Sequence, residues 1–106
     1  MSQFDVHRNG GKNCENIPFV VVVQSSIFDD YGRRVVVPLV RKSSLGKITN
    51  PRFNPTFVVD RVSVVLHPLE IVSVTKEMLG NPVHSLASEA DRIAGALDEL
   101  LTRAWE

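Results

Sequence analysis

The run Phe19-Val20-Val21-Val22-Val23 constrains this chain more than any other stretch. Two heavy atoms on Cβ stiffen valine and suit it to a pleated surface. No polar residue alternates with these valines, so the strand is expected to be covered on both faces. A second apolar run, Val35-Val36-Val37-Pro38-Leu39, follows a turn signal at Asp29-Asp30-Tyr31-Gly32. Pro38 has no N–H, which puts its end of that strand at an edge or a bulge.

Other strands are shorter. Gln3 to His7 alternate, with Phe4 and Val6 on one side, the pattern of a half-buried strand. Arg8 to Asn16 form a polar loop around Gly10-Gly11. Residues 41–55 hold Ser43, Ser44, Gly46, Asn50, Pro51, Asn54 and Pro55 without a firm period; they read as a long connection with room for one short strand. Thr56 to Val59 and Val62 to Leu66 make a hairpin about Asp60-Arg61. Neither turn residue is glycine or asparagine, which leaves the tight two-residue form open. Ile71 to Met78 give the last strand, and Gly80-Asn81-Pro82 a turn.

The tail changes period. Leu86, Ala90, Ile93, Leu97, Leu100, Leu101 and Ala104 recur at steps of three and four and share one helical face. Ser88, followed by Asp91, or Ser85 upstream can cap the start. Glu99 and Arg103 stand four apart in the favourable order. Gly95 lies on the opposite face, either a tolerated surface glycine or a point of close approach. Several strands followed by one helix give an α+β fold with an antiparallel sheet. A single domain over residues 1–106 is expected at this length.

The composition excludes several functions. Lysine plus arginine balances aspartate plus glutamate at formal net charge zero, so no global basic field draws nucleic acid or anionic lipid. Cys14 stands alone and cannot form an internal disulfide. Its polar surroundings mark a loop thiol, with no partner residues for a nucleophile. The N-terminal residues show neither a basic n-region nor an apolar h-region, and no apolar run approaches ~20 residues. Neither a secretory leader nor a membrane span is expected, and the cytoplasm is the default location.

Catalytic constellations are equally sparse. His7, His67 and His84 share no metal-ligand spacing, and no second cysteine joins them. No glycine-rich phosphate loop follows a strand. Asp29-Asp30 fits solvated turn chemistry. Gly32-Arg33-Arg34 could hold a phosphate, but such a pair more often leads a strand out of solvent. His67-Pro68 ends a strand, and an acid–base role there lacks a visible partner. No enzyme, metal or cofactor is expected.

The stretch from Phe19 to Leu39 resembles the CcdB toxin family, in which an F-V-x-V-Q-S segment leads into G-R-R, an apolar strand and P-L. Gln3-Phe4 fits the family's opening, Pro55 to Val59 its next strand, and the terminal helix its position and length. The resemblance runs over nearly the whole chain. It implies a small barrel-like antiparallel sheet of the SH3-like, CcdB/MazF type, with a minor sheet and one C-terminal helix. It also implies a symmetric homodimer, the toxin half of a toxin–antitoxin pair. Such toxins bind the A subunit of DNA gyrase and trap it with its DNA cleaved. A cognate CcdA-like antitoxin releases the gyrase, and toxin reaches operator DNA only through that antitoxin.

In the family the poisoning element is a terminal Trp-Gly-Ile, helped by apolar residues after the Gln-Ser pair. Here Ile27 and Phe28 hold the latter positions. In ungapped register Thr102-Arg103-Ala104 falls where Trp-Gly-Ile is expected, and Trp105 comes three residues late, about 60° away around a helix. The gyrase-binding residues implied are therefore Ile27, Phe28, Leu101, Thr102, Arg103, Ala104 and Trp105. Two other readings compete. One is a MazF-type endoribonuclease on the same barrel, with Arg33, Arg34 and His67 as the available groups. The other is a relative that binds an antitoxin but poisons nothing.

Overall fold

The computed structural model describes residues 2–102. Its strands are β1 (Asp5–Arg8), β2 (Phe19–Val22), β3 (Arg33–Arg41), β4 (Thr56–Val59), β5 (Val62–Leu66), β6 (Val72–Thr75) and β7 (His84–Ser85). One α-helix among the described residues, α1 (Ala90–Leu101), follows them. The strands pair antiparallel in the order β4-β5-β3-β2-β1-β7, a nearly closed barrel, and β6 joins on β3.

The nine-residue β3 organises this sheet. One side pairs with β2, from Phe19 opposite Leu39 to Val22 opposite Val36. The other side takes β6 along Arg33–Val36 and β5 along Leu39–Arg41. Pro38 falls between those two partners. Its carbonyl accepts from the N–H of His67 at 3.1 Å, so its nitrogen faces the same side. The missing N–H thus meets the gap where β3 changes partner. Proline sits in a central strand, not at an edge, because that strand is bordered by two short ones.

Valines of β2, β3 and β5 are buried as expected, with Phe19, Leu39, Phe57 and Leu66 between them. Ile93 and Ala96 of α1 lie fully buried in the same core, and Leu97 packs at its border. Burying a side chain the size of Ile93 contributes roughly 1.5–3 kcal/mol. A second cluster, Val22, Val36 and Leu79, covers the outer face. That layer is why the apolar runs show no alternation.

Several local expectations change. β1 begins at Asp5, because Phe4 is in a turn at φ 69°. A bulky residue rarely takes that conformation. Phe4 holds it with its N–H on the Val22 carbonyl at 2.6 Å and its carbonyl accepting from Leu86 at 2.9 Å. β1 is also covered on both faces: Val6 and His7 are both fully buried. Nδ1 of His7 lies 2.8 Å from the Gly80 carbonyl. A carbonyl accepts and cannot donate, so Nδ1 carries the proton.

The hairpin uses the tight two-residue turn that its composition left open. Val59 pairs with Val62, and Asp60 and Arg61 have φ of 51° and 65°, the sign pattern of a type I′ turn. No strand forms between Leu45 and Pro55; the connection carries one 3-10 turn, Lys42–Ser44. β6 ends at Thr75, followed by another 3-10 turn over Lys76–Met78. The helix starts at Ala90 without a side-chain cap. Ser85 instead accepts from the Ala87 N–H at 3.2 Å and opens the 3-10 turn that precedes it, while Ser88 lies inside that turn. Glu99 pairs with Arg52 at 3.2 Å, which ties the long connection to the helix; Arg103, its expected partner, lies outside the described residues.

Candidate functional site

The segment between β2 and β3 carries the first two candidates. Ser25 accepts from the Ile27 N–H at 3.4 Å and starts a single 3-10 turn, Ser26–Phe28. That turn lifts Ile27 into solvent, 80% exposed, and leaves Phe28 about half exposed, at 47%. Tyr31 meets Phe28 edge to face, with ring centroids 6.1 Å apart. Two aromatics in contact near water, with so little covering them, are unusual for a surface without a partner.

The helix end supplies the opposite wall. Phe28, Tyr31, Val23 and Val35 face Ile71, Leu97 and Leu101 across an apolar groove of about 520 Å³. Leu101 is 71% exposed at its mouth. The fold therefore brings Phe28 and Leu101 together although 73 positions separate them. Ile27 stands on the adjoining turn and does not line the groove. Thr102 is exposed and turns its hydroxyl back to the Asp98 carbonyl at 2.9 Å. Arg103, Ala104 and Trp105 lie outside the described residues. Sequence reasoning missed Tyr31 and Ile71 as groove residues. An aromatic among polar turn residues was the available signal for Tyr31.

The two arginines differ from expectation. Arg34 does not lead into solvent; it is 5% exposed. Its guanidinium donates to the carbonyls of Tyr31 at 2.6 Å, Arg33 at 2.8 Å and Asp29 at 3.0 Å. Arg33 is exposed but engaged: it donates to the hydroxyl and the carbonyl of Ser73, each at 2.8 Å. Arg34 is therefore turned away from any phosphate in this arrangement, while exposed Arg33 has its Nε and Nη2 engaged by Ser73.

His67 stands elsewhere. Its Nδ1 is 3.7 Å from a carboxylate oxygen of Glu70, and it lines a separate depression of about 160 Å³ with Lys47, Thr49 and Asn54. His67 and Arg33 line different surfaces, and Arg34 lines neither. Among the described residues, no group of three or more His, Cys, Asp or Glu could hold a metal ion, and no helix is long and apolar enough to cross a membrane. Cys14 is exposed in the loop after β1.

Comparison with solved structures finds the same architecture in an endoribonuclease in complex with its cognate antitoxin from mycobacterial species. The TM-score is 0.72 at 16% identity, over 100% of this chain and 99% of that one. At such identity the likeness establishes the fold. Comparison with curated proteins finds no match. The family model of the CcdB protein matches residues 3–102, which include the Phe28 turn, β3 and all of α1. With the barrel, the helix and that match in hand, the chain belongs to the CcdB family of toxin–antitoxin toxins.

Proposed function

We propose that the protein acts without catalysis, by binding the A subunit of DNA gyrase and trapping its cleaved DNA complex in the cytoplasm. The observation that carries this reading is the groove in which Phe28 and Leu101 meet. Phe28, from the loop after the Gln-Ser pair, and Leu101, at the end of the helix, both line it, which supports the reading. Apolar anchors around a desolvated pocket are the usual source of binding energy between proteins. The acting unit is a homodimer, since exposed Ile27, Phe28, Tyr31, Leu69, Ile71, Val72 and Leu101 are more apolar surface than a monomer of this size needs. A cognate CcdA-like antitoxin neutralises it, and operator DNA is reached through that antitoxin.

The endoribonuclease reading is the weaker one, because His67 and Arg33 line different surfaces and Arg34 is buried against backbone carbonyls. Expression in a susceptible host tests the choice. Growth arrest relieved by a substitution in the gyrase A subunit supports gyrase poisoning. Arrest with RNA cleavage by the purified protein, unaffected by the gyrase change, replaces it. Survival with intact antitoxin binding would identify a toxin relative that poisons nothing.

A further inference from the structure

The Phe28 turn is held by two polar side chains, that of buried Arg34 and that of Gln24, which also lines the groove. Gln24 is the last residue before the turn. Its Nε2 donates to the carbonyl of Phe28 at 3.2 Å and to that of Arg33 at 3.1 Å, while its Oε1 accepts from the Val35 N–H at 3.0 Å. Arg34, on the returning strand, takes the carbonyls of Asp29, Tyr31 and Arg33. Between them they collect four carbonyls, those of Phe28, Asp29, Tyr31 and Arg33. Three further bonds of the loop are short-range: Phe28 N–H to the Ser25 carbonyl, Asp29 N–H to that of Ser26, and Tyr31 N–H to that of Phe28, each 3.1 Å; at its end the Gly32 carbonyl accepts from the Lys76 N–H at 3.0 Å.

The chemistry explains the choice of residues. A planar guanidinium presents several donors in a fixed fork, so one arginine can bridge three carbonyls that diverge around a turn. A primary amide is donor and acceptor at once, so Gln24 can tie the loop to the Val35 N–H of β3 as well. Arg34 meets no carboxylate in this cluster; its charge is stabilised by carbonyl dipoles, a buried arrangement that loses much if one element moves. Phe28 and Tyr31 are held half in water with little packing of their own, so their placement depends on this scaffold.

We infer that Gln24 and Arg34 are positioning residues that preorganise the Phe28–Tyr31 loop for partner binding, Arg34 from the buried side of the loop and Gln24 from a position that also lines the groove. The inference rests on the reading that this loop is a binding surface. Preorganisation removes the ordering cost that a loose loop would meet on binding.

Three variants test it: Arg34→Lys, Arg34→Met and Gln24→Met. Amide hydrogen exchange of residues 26–33 is measured first, with no partner present. Exchange there is expected to rise at least about tenfold in each variant, while amides of β5 and of Ile93 and Ala96 stay protected. Unchanged loop exchange, or equal loss throughout the barrel, overturns the inference. Titration against the gyrase A subunit follows, with Phe28→Ala introduced in the wild-type and Arg34→Lys backgrounds. If Arg34 works through the aromatic loop, Phe28→Ala weakens binding strongly in the first background and by less than about threefold in the second. Full additivity of the two substitutions also overturns the inference. Wild-type protein that fails to bind gyrase sinks the proposed function instead, and the exchange experiment still decides the role of the two residues.

Discussion

The guanidinium of Arg92 lies over the ring of Phe57, with its central carbon 4.5 Å from the ring centroid. One of its nitrogens also donates to the Thr56 carbonyl at 2.7 Å, and another meets Glu89 at 3.1 Å. Position on the sheet explains the contact. β4 ends the strand order, and Pro55 already faces β5 through its bond from Leu66. Alternation then turns the Thr56 carbonyl to the open side. Arg92 satisfies it and fixes α1 against the edge strand. Arg8 and Asp60, 3.3 Å apart, link β1 to the β4–β5 turn. Side chains thus span the seam between β4 and β7 where backbone pairing stops.

Arg92→Ala should therefore cost more than an ordinary surface change, about 1–2 kcal/mol from the lost stacking and the orphaned carbonyl. Arg92→Lys keeps the charge but not the planar fork, and should recover less than half of that. Urea unfolding of the three proteins measures both. A loss within 0.3 kcal/mol of zero for the alanine variant, against the roughly ±0.5 kcal/mol of neutral surface sites, would show that the seam does not depend on it.

The β4–β5 turn makes a second prediction. Arg61 has a Cβ in a left-handed conformation, φ 65°. Glycine adopts that conformation without the steric penalty. Arg61→Gly should raise stability by about 0.5–1 kcal/mol, read as a higher thermal midpoint with an unchanged fold. A lower midpoint would mean that the arginine side chain contributes more than its backbone costs.

Gly95 makes the complementary case. A Cβ built there meets nothing within 4 Å, and the backbone is helical. Gly95→Ala should stabilise the protein by about 1 kcal/mol, the difference in helix propensity. Denaturant midpoints check it. A loss would mean that a neighbour, such as a second copy of the chain, closes on this face.

On the loop, Ile27→Ala should leave stability within about 0.5 kcal/mol, since its side chain is largely exposed, and half-exposed Phe28→Ala should cost about 1 kcal/mol at most. Gyrase binding should fall by about 2 kcal/mol for Phe28, an aromatic anchor in a groove, and less for Ile27. Arg33→Ala should change mainly the salt dependence. Calorimetric titration at two salt concentrations separates these effects. Equal losses at all three positions would remove the ranking.

The barrel was legible because its signal is covalent: valine runs specify strands wherever they are buried, and a change of period marks the helix. The helix stripe through Ile93 and Leu97 was read correctly for the same reason. Features set by distant contacts were not legible. The burial of Arg34 depends on where the Asp29–Tyr31 carbonyls turn. The tight hairpin depends on β4–β5 pairing, which outweighs the local preference of Asp60 and Arg61. Pro38 looked like an edge residue because sequence cannot show that its strand has two successive partners. Of the groove, Phe28 and Leu101 were found through family resemblance, while Ile71 and Tyr31 required the folded chain.

The last prediction concerns Trp105, the single tryptophan of the chain. The described helix ends at Leu101, beside the groove, and Trp105 follows four residues later. No other aromatic residue belongs to the tail from Ala90 onward. A protein lacking Trp105 and Glu106 keeps every described residue of the buried core, Ile93, Ala96 and the barrel valines among them. Its thermal midpoint should fall only slightly. Binding to the gyrase A subunit should fall by about 2 kcal/mol or more, the scale of an aromatic hot spot. Antitoxin binding should largely persist, because a disordered partner spreads its contacts over a wide surface. One thermal melt and two titrations on the truncated protein check all three outcomes. A marked drop in midpoint with both partners weakened together would assign Trp105 to the protein's own packing. Unchanged gyrase affinity in a folded truncation would leave Phe28 and Leu101 as the anchors.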